Sequence, residues 1–377
     1  LCDVFIEFTK CCKVPGAFDR PWRTRGRTVV IGTCGFGSTG SSAVSDYLKE
    51  FEDNQVLDNI EFTFPYEPDG LLDLEFHLME QHARGSASQV SIRRYRNLVK
   101  RLGKYIASNT SLSQQALWRL TDDFLESIVQ IKWKGYNDVD LGVVRRVFGN
   151  SIMRQRVIPG LEKAFNRPIE TYPLEDIEFS IKPDNFYSEC KEYIRRLLTE
   201  MGADFRRNIV LDQPFSAEDP EKSFVFFDDP VAIVVDRDPR DVYLFGIKHL
   251  MSRGRFMPTD SVEKFVEYYR LLRKNMPYNN GNERILRLNF EDLVYEYEKT
   301  TTKIIDFCKL SNNKAKFTIF DPSMSIANTQ LFKRFGGYQS DIDYIERHLA
   351  EYLYNFDKYP PISHAGKLFH GRSPLNK

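Results

Sequence analysis

Between Thr28 and Lys49 an apolar run, a glycine-rich turn and a helix-patterned segment follow one another without a gap. Few folds accept that order, because the turn must reverse the chain tightly while leaving its backbone open to a ligand. Gly35, Gly37 and Gly40 permit positive φ and a close approach to an anion. The hydroxyls of Ser41 and Ser42, and the free N–H groups of the helix start behind them, supply the donors.

The spacing Gly35-x4-Gly40-Ser41-Ser42 has the outline of a P-loop with Ser41 where the lysine should stand. That missing lysine argues against an ordinary ATPase or kinase. A second motif lies far downstream. Val231 to Val235 is a continuous apolar run, expected to be a buried parallel strand, and it leads into Asp236, Arg237, Asp238, Pro239, Arg240 and Asp241 and then a helical pattern through Leu250. Pro239 suits the first turn of that helix, and Asp241 its positive end.

These two motifs, together with Arg284 to Val294 (a late strand running into Glu291-Asp-Leu293), resemble the sulfotransferases that use 3′-phosphoadenosine 5′-phosphosulfate (PAPS), and most closely the carbohydrate sulfotransferases. The three elements keep the family's order over roughly residues 28 to 310. The resemblance implies PAPS as donor, adenosine 3′,5′-bisphosphate as product and no metal. It places donor contacts on Gly35, Gly37, Ser38, Thr39, Gly40, Ser41, Ser42 and Arg237, and on a late basic loop at Lys333 and Arg334. Two positions depart from it. No lysine or arginine precedes Gly40, where the family carries a cation for the leaving group, and Phe245 stands eight residues after Arg237, where a serine is common. A live enzyme must find a cation elsewhere; otherwise the chain is a degenerate binder of a nucleotide or partner.

Sulfuryl transfer to a hydroxyl needs oriented donors around the developing charge and a base for the hydroxyl proton. In the carbohydrate- and protein-modifying branches a glutamate follows the first loop by some twenty to thirty residues, which implies Glu61, with Glu67 and Asp212 as alternatives. His77, His82 and His249 fall in helical patterns and read as structural. Arg93, Arg94, Arg96, Lys100, Arg101 and Lys104, interleaved with Tyr95 and Tyr105, suit either an anionic glycan or a solvated helix face.

Strands alternating with helices predict a three-layer α/β/α fold around a central parallel sheet, P-loop NTPase-like, with a mostly helical insertion over about 71–202. Residues 1–27 read as an N-terminal arm. Residues 28–377 read as one domain that ends in a helix over Ile342–Phe356 and a tail. Acidic and basic side chains number 53 each, so net charge gives no reason to expect nucleic acid. The six cysteines form neither a disulfide framework nor a metal pair, and no run approaches the roughly 18 apolar residues of a membrane span. A cytoplasmic enzyme is expected, or a Golgi-lumenal one had an anchor been trimmed. A P-loop kinase is the rival activity.

Overall fold

The structure is a computed structural model that describes residues 28–81, 85–135, 158–168, 174–250, 256–274, 276, 282–311, 314 and 318–362. The expected arm over 1–27, His82 and most of the C-terminal tail lie outside them. Five parallel strands form the central sheet: β1 Val30–Gly35, β2 Asn54–Glu61, β5 Asn208–Asp212, β6 Pro230–Asp236 and β7 Ile285–Asn289, in the order β2-β5-β1-β6-β7. The fold is α/β as expected.

Alternation along the strands builds two cores. Ile31 of β1, Val210 of β5, and Val231, Ile233 and Val235 of β6 face one layer, packed on Val44, Tyr47 and Leu48 of α1 (Ser41–Leu48), with Ile304 of the later helix Tyr297–Cys308. Val30, Cys34, Ile209, Leu211, Ala232 and Val234 face the other, covered by the insertion. Each such side chain contributes about 1.5–3 kcal/mol when fully buried, and a sheet apolar on both faces needs helices on both.

The insertion supplies α2 (Leu71–Glu75), which runs into a π-helical turn at Phe76–Glu80, then α3 (Ser86–Asn109), α4 (Gln114–Ile128), α5 (Ile158–Phe165) and α6 (Phe186–Glu200). It is not wholly helical. An antiparallel pair, β3 (Ile131–Gly135) with β4 (Glu175–Phe179), interrupts it. The strand expected over Ile60–Pro65 instead begins at Asn54 and ends at Glu61. Beyond it the chain keeps its alternation, burying Phe62 and Phe64.

After β6 come α7 (Pro239–Phe245) and α8 (Val262–Leu271); after β7 come α9 (Phe290–Tyr295) and α10 (Tyr297–Cys308). Asp238 caps α7 by accepting from Arg240 N, with Pro239 in the first turn. The last helix, α11 (Gln339–His348), stops short of the expected Phe356, and a 3-10 turn at Ala350–Tyr352 follows. Cys34, Cys190 and Cys308 are buried.

Candidate active site

Ligands of open parallel sheets bind beyond the carboxyl ends of the strands, where the order reverses. Here β1 lies between β5 and β6, with Thr33 opposite Asp212 and Gly35 opposite Val235. Glu61 pairs with Asp212 across β2 and β5. One edge therefore carries Glu61, Asp212, the Gly35 loop and Arg237, the juxtaposition that the sequence suggested.

The loop is held from within and from both sides. Gly37, Ser38 and Gly40 take φ of 84°, 58° and 92°. A Cβ at Gly40 would lie 2.5 Å from the Phe290 ring, so the position excludes a side chain twice over. Gly40→Ala is expected to destabilise the protein by about 1–3 kcal/mol, read as a lower urea midpoint. The Thr39 hydroxyl is turned inward and accepts from Phe36 N at 3.1 Å. Gln213, itself at φ 51°, accepts from Gly35 N at 3.1 Å and donates to Ser41 Oγ at 3.2 Å. Its carbonyl accepts from the Tyr66 hydroxyl at 3.0 Å. Sequence reasoning missed Gln213, although the polar end of β5 was the available signal. Ser42 is exposed at the helix start.

Arg237 follows β6 and is 4% exposed. Its Nη1 donates to Ser38 O at 2.9 Å and its Nη2 to Asn328 O, while the rings of Phe245 and Phe290 lie 5.1 and 5.4 Å from the guanidinium. The side chain thus fastens the loop to the segment before Leu331. Its Nε is buried without an acceptor. Burial works against its charge, offset by Asp241, Glu291 and Asp238. These carboxylates form a buried tier: Glu291 Oε1 accepts from Asp238 N at 3.0 Å, Asp241 Oδ1 from Leu331 N at 2.7 Å, and Asp238 forks Arg240 at 2.9 and 2.7 Å. Burial raises Asp241 to about 7 and pushes Glu291 well up. Arg240 also reaches Glu346 at 2.7 Å, so it pairs rather than facing a ligand.

Lys333 and Arg334 fall on a helical turn, Leu331–Arg334, rather than in an open loop. Lys333 is exposed, its ammonium 5.6 Å from the Phe332 ring centre, and Arg334 donates to Ala327 O. Neighbouring carbonyls, those of Ala327 and Asn328, thereby tie this turn to Arg237.

Two bays along the edge, the carboxylates gather. Glu61 is exposed as a residue, yet its carboxyl is partly walled in, and this burial, then the charge of Glu67, raises its pKa. Asp212 is pushed up to about 7 by burial first, then by Glu61 and Asp58. Its Oδ1 has no hydrogen-bond partner. Tyr66 and the exposed Tyr105 are raised by burial, with Glu61 and Asp212 adding. A folded value near 7 against about 4 unfolded means that the native state holds a proton the unfolded chain has released. Stability should fall as pH rises from about 4 to 7 and stay level above. Asp212→Asn should remove this dependence and leave the variant roughly 1–4 kcal/mol more stable than the parent at pH 8, as urea unfolding at pH 5 and 8 would read.

The basic stripe of α3 is largely spent on internal pairs. Arg94 meets Asp69 at 2.5 Å, Arg96 forks Glu178 at 3.0 and 3.1 Å, and Arg93 and Arg101 lie 4.0 and 3.9 Å from Glu175 and Asp69. Among the described residues no group of histidine, cysteine and acidic side chains could hold a metal ion, and no helix is long and apolar enough to cross a membrane.

A family model described as the sulfotransferase family matches residues 149–314, the stretch that carries β5, β6 and β7 with Asp212 and Arg237. The match spans less than half of the chain. Three solved structures are similar at low level. The sulfotransferase domain of the Synechococcus PCC 7002 olefin synthase is 13% identical over 86% of this chain and 94% of its own, with TM-score 0.37. The sulfotransferase domain of the curacin biosynthetic pathway is 13% identical over 87% and 98%, with TM-score 0.36. A sulfotransferase of Alicyclobacillus acidocaldarius is 12% identical over 86% and 96%, with TM-score 0.31. Likenesses this slight carry no argument about the site. No curated protein matches.

Proposed function

We propose that the chain moves a sulfuryl group from PAPS to a carbohydrate hydroxyl. The observation that carries this reading is the joining of the glycine-rich loop to the residue that follows β6: Arg237 donates to the carbonyl of Ser38 inside the loop and keeps a buried N–H unused. A buried donor without a partner costs about 1–3 kcal/mol, which an anion reaching this N–H would relieve. The loop from Gly35 to Ser42 and Arg237 would hold the donor's phosphates, with Lys333 and Arg334 proposed for its outer side. Bound there, PAPS would supply the sulfuryl group and leave as adenosine 3′,5′-bisphosphate.

Glu61 is proposed as the base. It is the exposed member of the carboxylate group, and so the one that an acceptor hydroxyl can meet. Asp212 beneath it would ionise near neutrality and strengthen Glu61 as a proton acceptor, because like charges raise each other's affinity for protons. Backbone N–H groups at the start of α1 and the hydroxyls of Ser41 and Ser42 face the charge that develops on transfer. The acceptor side is acidic, with Glu61, Glu67, Asp58 and Asp212, and the α3 arginines are engaged elsewhere. An uncharged sugar hydroxyl therefore suits it better than an anionic glycan. The cytoplasm is proposed as its place, in keeping with the buried thiols of Cys34 and Cys190.

A kinase is disfavoured on the structure's own terms. The strand-end acid of β6, Asp236, which a magnesium-dependent site would want free, is held by a two-pronged bond from Arg273 at 2.9 and 2.6 Å. Calorimetry separates the readings: adenosine 3′,5′-bisphosphate should bind and ATP bind far more weakly. Tight magnesium-dependent ATP binding with no bisphosphate binding would overturn the donor assignment.

A further inference from the structure

Arg273 lies just past the end of α8 and is 4% exposed, although nothing in the local sequence marks it. Its Nε and Nη2 clasp the two oxygens of Asp236, and its Nη1 donates to Tyr269 O at 3.0 Å. The flat guanidinium lies 3.4 Å from the centre of the Tyr269 ring and 4.1 Å from that of Phe36. Phe36 belongs to the glycine-rich loop, immediately after Gly35, and its N–H is the group that Thr39 braces. Asp236 immediately precedes Arg237 and accepts from Arg237 N at 2.8 Å. The Tyr269 hydroxyl completes the knot by donating to Arg237 O at 2.9 Å.

We propose that Arg273 is the positioning residue of the donor site: through Phe36 it fixes the glycine-rich loop, and through Asp236 it fixes Arg237, so that one side chain sets both anion-binding elements. The proposal rests on the donor-site reading above. The loop contributes no cation of its own, so nothing in it can draw it onto a phosphate by charge; its geometry has to be imposed from the protein side. A guanidinium does this as no other side chain can, stacking by its face while its edge forms directed paired bonds. Lysine in its place keeps the charge and loses both the fork and the flat face.

The test is calorimetry of adenosine 3′,5′-bisphosphate on the full chain with Arg273→Lys, Phe36→Leu and the double variant, beside steady-state kinetics. Each single change should weaken bisphosphate binding by about tenfold, the scale of a well-buried stacked cation. The double variant should lose little more than Arg273→Lys alone, because Phe36→Leu removes a contact that Arg273→Lys has already broken. KM for PAPS should rise with KM for the acceptor unchanged, a split that a general loss of stability would not give. Should Arg273→Lys fail to fold, Phe36→Leu keeps the buried ion pair and carries the test alone. Unchanged bisphosphate affinity in folded variants, or additive losses, would overturn the proposal while leaving the donor site standing. A wild-type chain that binds no bisphosphate would overturn the donor-site reading, and the proposal with it.

Discussion

Glu61→Gln is expected to lower turnover by roughly 10²- to 10⁴-fold, the usual share of a positioned base, while leaving bisphosphate affinity unchanged. The separation follows from the layout. Glu61 ends β2, two strands from β1 and its loop, with β5 between them, so the substitution touches no donor contact. The pH profile adds a second reading. Because Asp212 is pushed up to about 7, its ionisation should make turnover rise with pH through that value. Asp212→Asn should flatten this rise and keep measurable activity, whereas Glu61→Gln should remove the activity itself. Normal turnover in Glu61→Gln with a loss in Glu67→Gln or Asp212→Asn would move the base to that neighbour.

Arg237→Ala is expected to remove most of the thermal stabilisation that the bisphosphate confers, which for a native-state ligand at a hundredfold excess over Kd is about 2.7 kcal/mol. The ligand-free variant should also be weaker by about 3–5 kcal/mol, since Asp241 and Glu291 would lose the cation nearest them in a buried setting. Burial has already raised both carboxyls, so protonation at mildly acid pH should restore part of that loss. Arg237→Lys should recover stability better than affinity, because an ammonium replaces the charge but not the fork. Full bisphosphate affinity in a folded Arg237→Ala variant would remove Arg237 from the donor site.

The parts of this site that were legible in the sequence share one property: the signal is local. Gly37 and Gly40 announce their positive φ by being glycine, the apolar run Val231–Val235 announces a buried strand, and Pro239 after Asp238 announces a capped helix start. Arg273 announces nothing. Its partners, Phe36 and Asp236, lie far from it in the chain, and a lone arginine past a helix end reads as solvated until the fold closes over it. Gln213 is similar, since its role depends on β5 lying beside β1. The antiparallel pairing of β3 and β4 was missed because the short alternation in Ile131–Gly135 was lost among longer helical periods. The α3 arginines were read with an anionic glycan as one option, because pairing with Asp69 and Glu178 is invisible without tertiary structure.

The most direct measurement is release of adenosine 3′,5′-bisphosphate from PAPS by the full chain, with and without a panel of neutral and anionic glycans, in the presence of a chelator. The account predicts release that depends on a glycan hydroxyl, persists without magnesium and is lost in Glu61→Gln. Bisphosphate binding with no release on any glycan would contradict it and leave a degenerate binder, and magnesium-dependent turnover of ATP would contradict it in favour of a kinase.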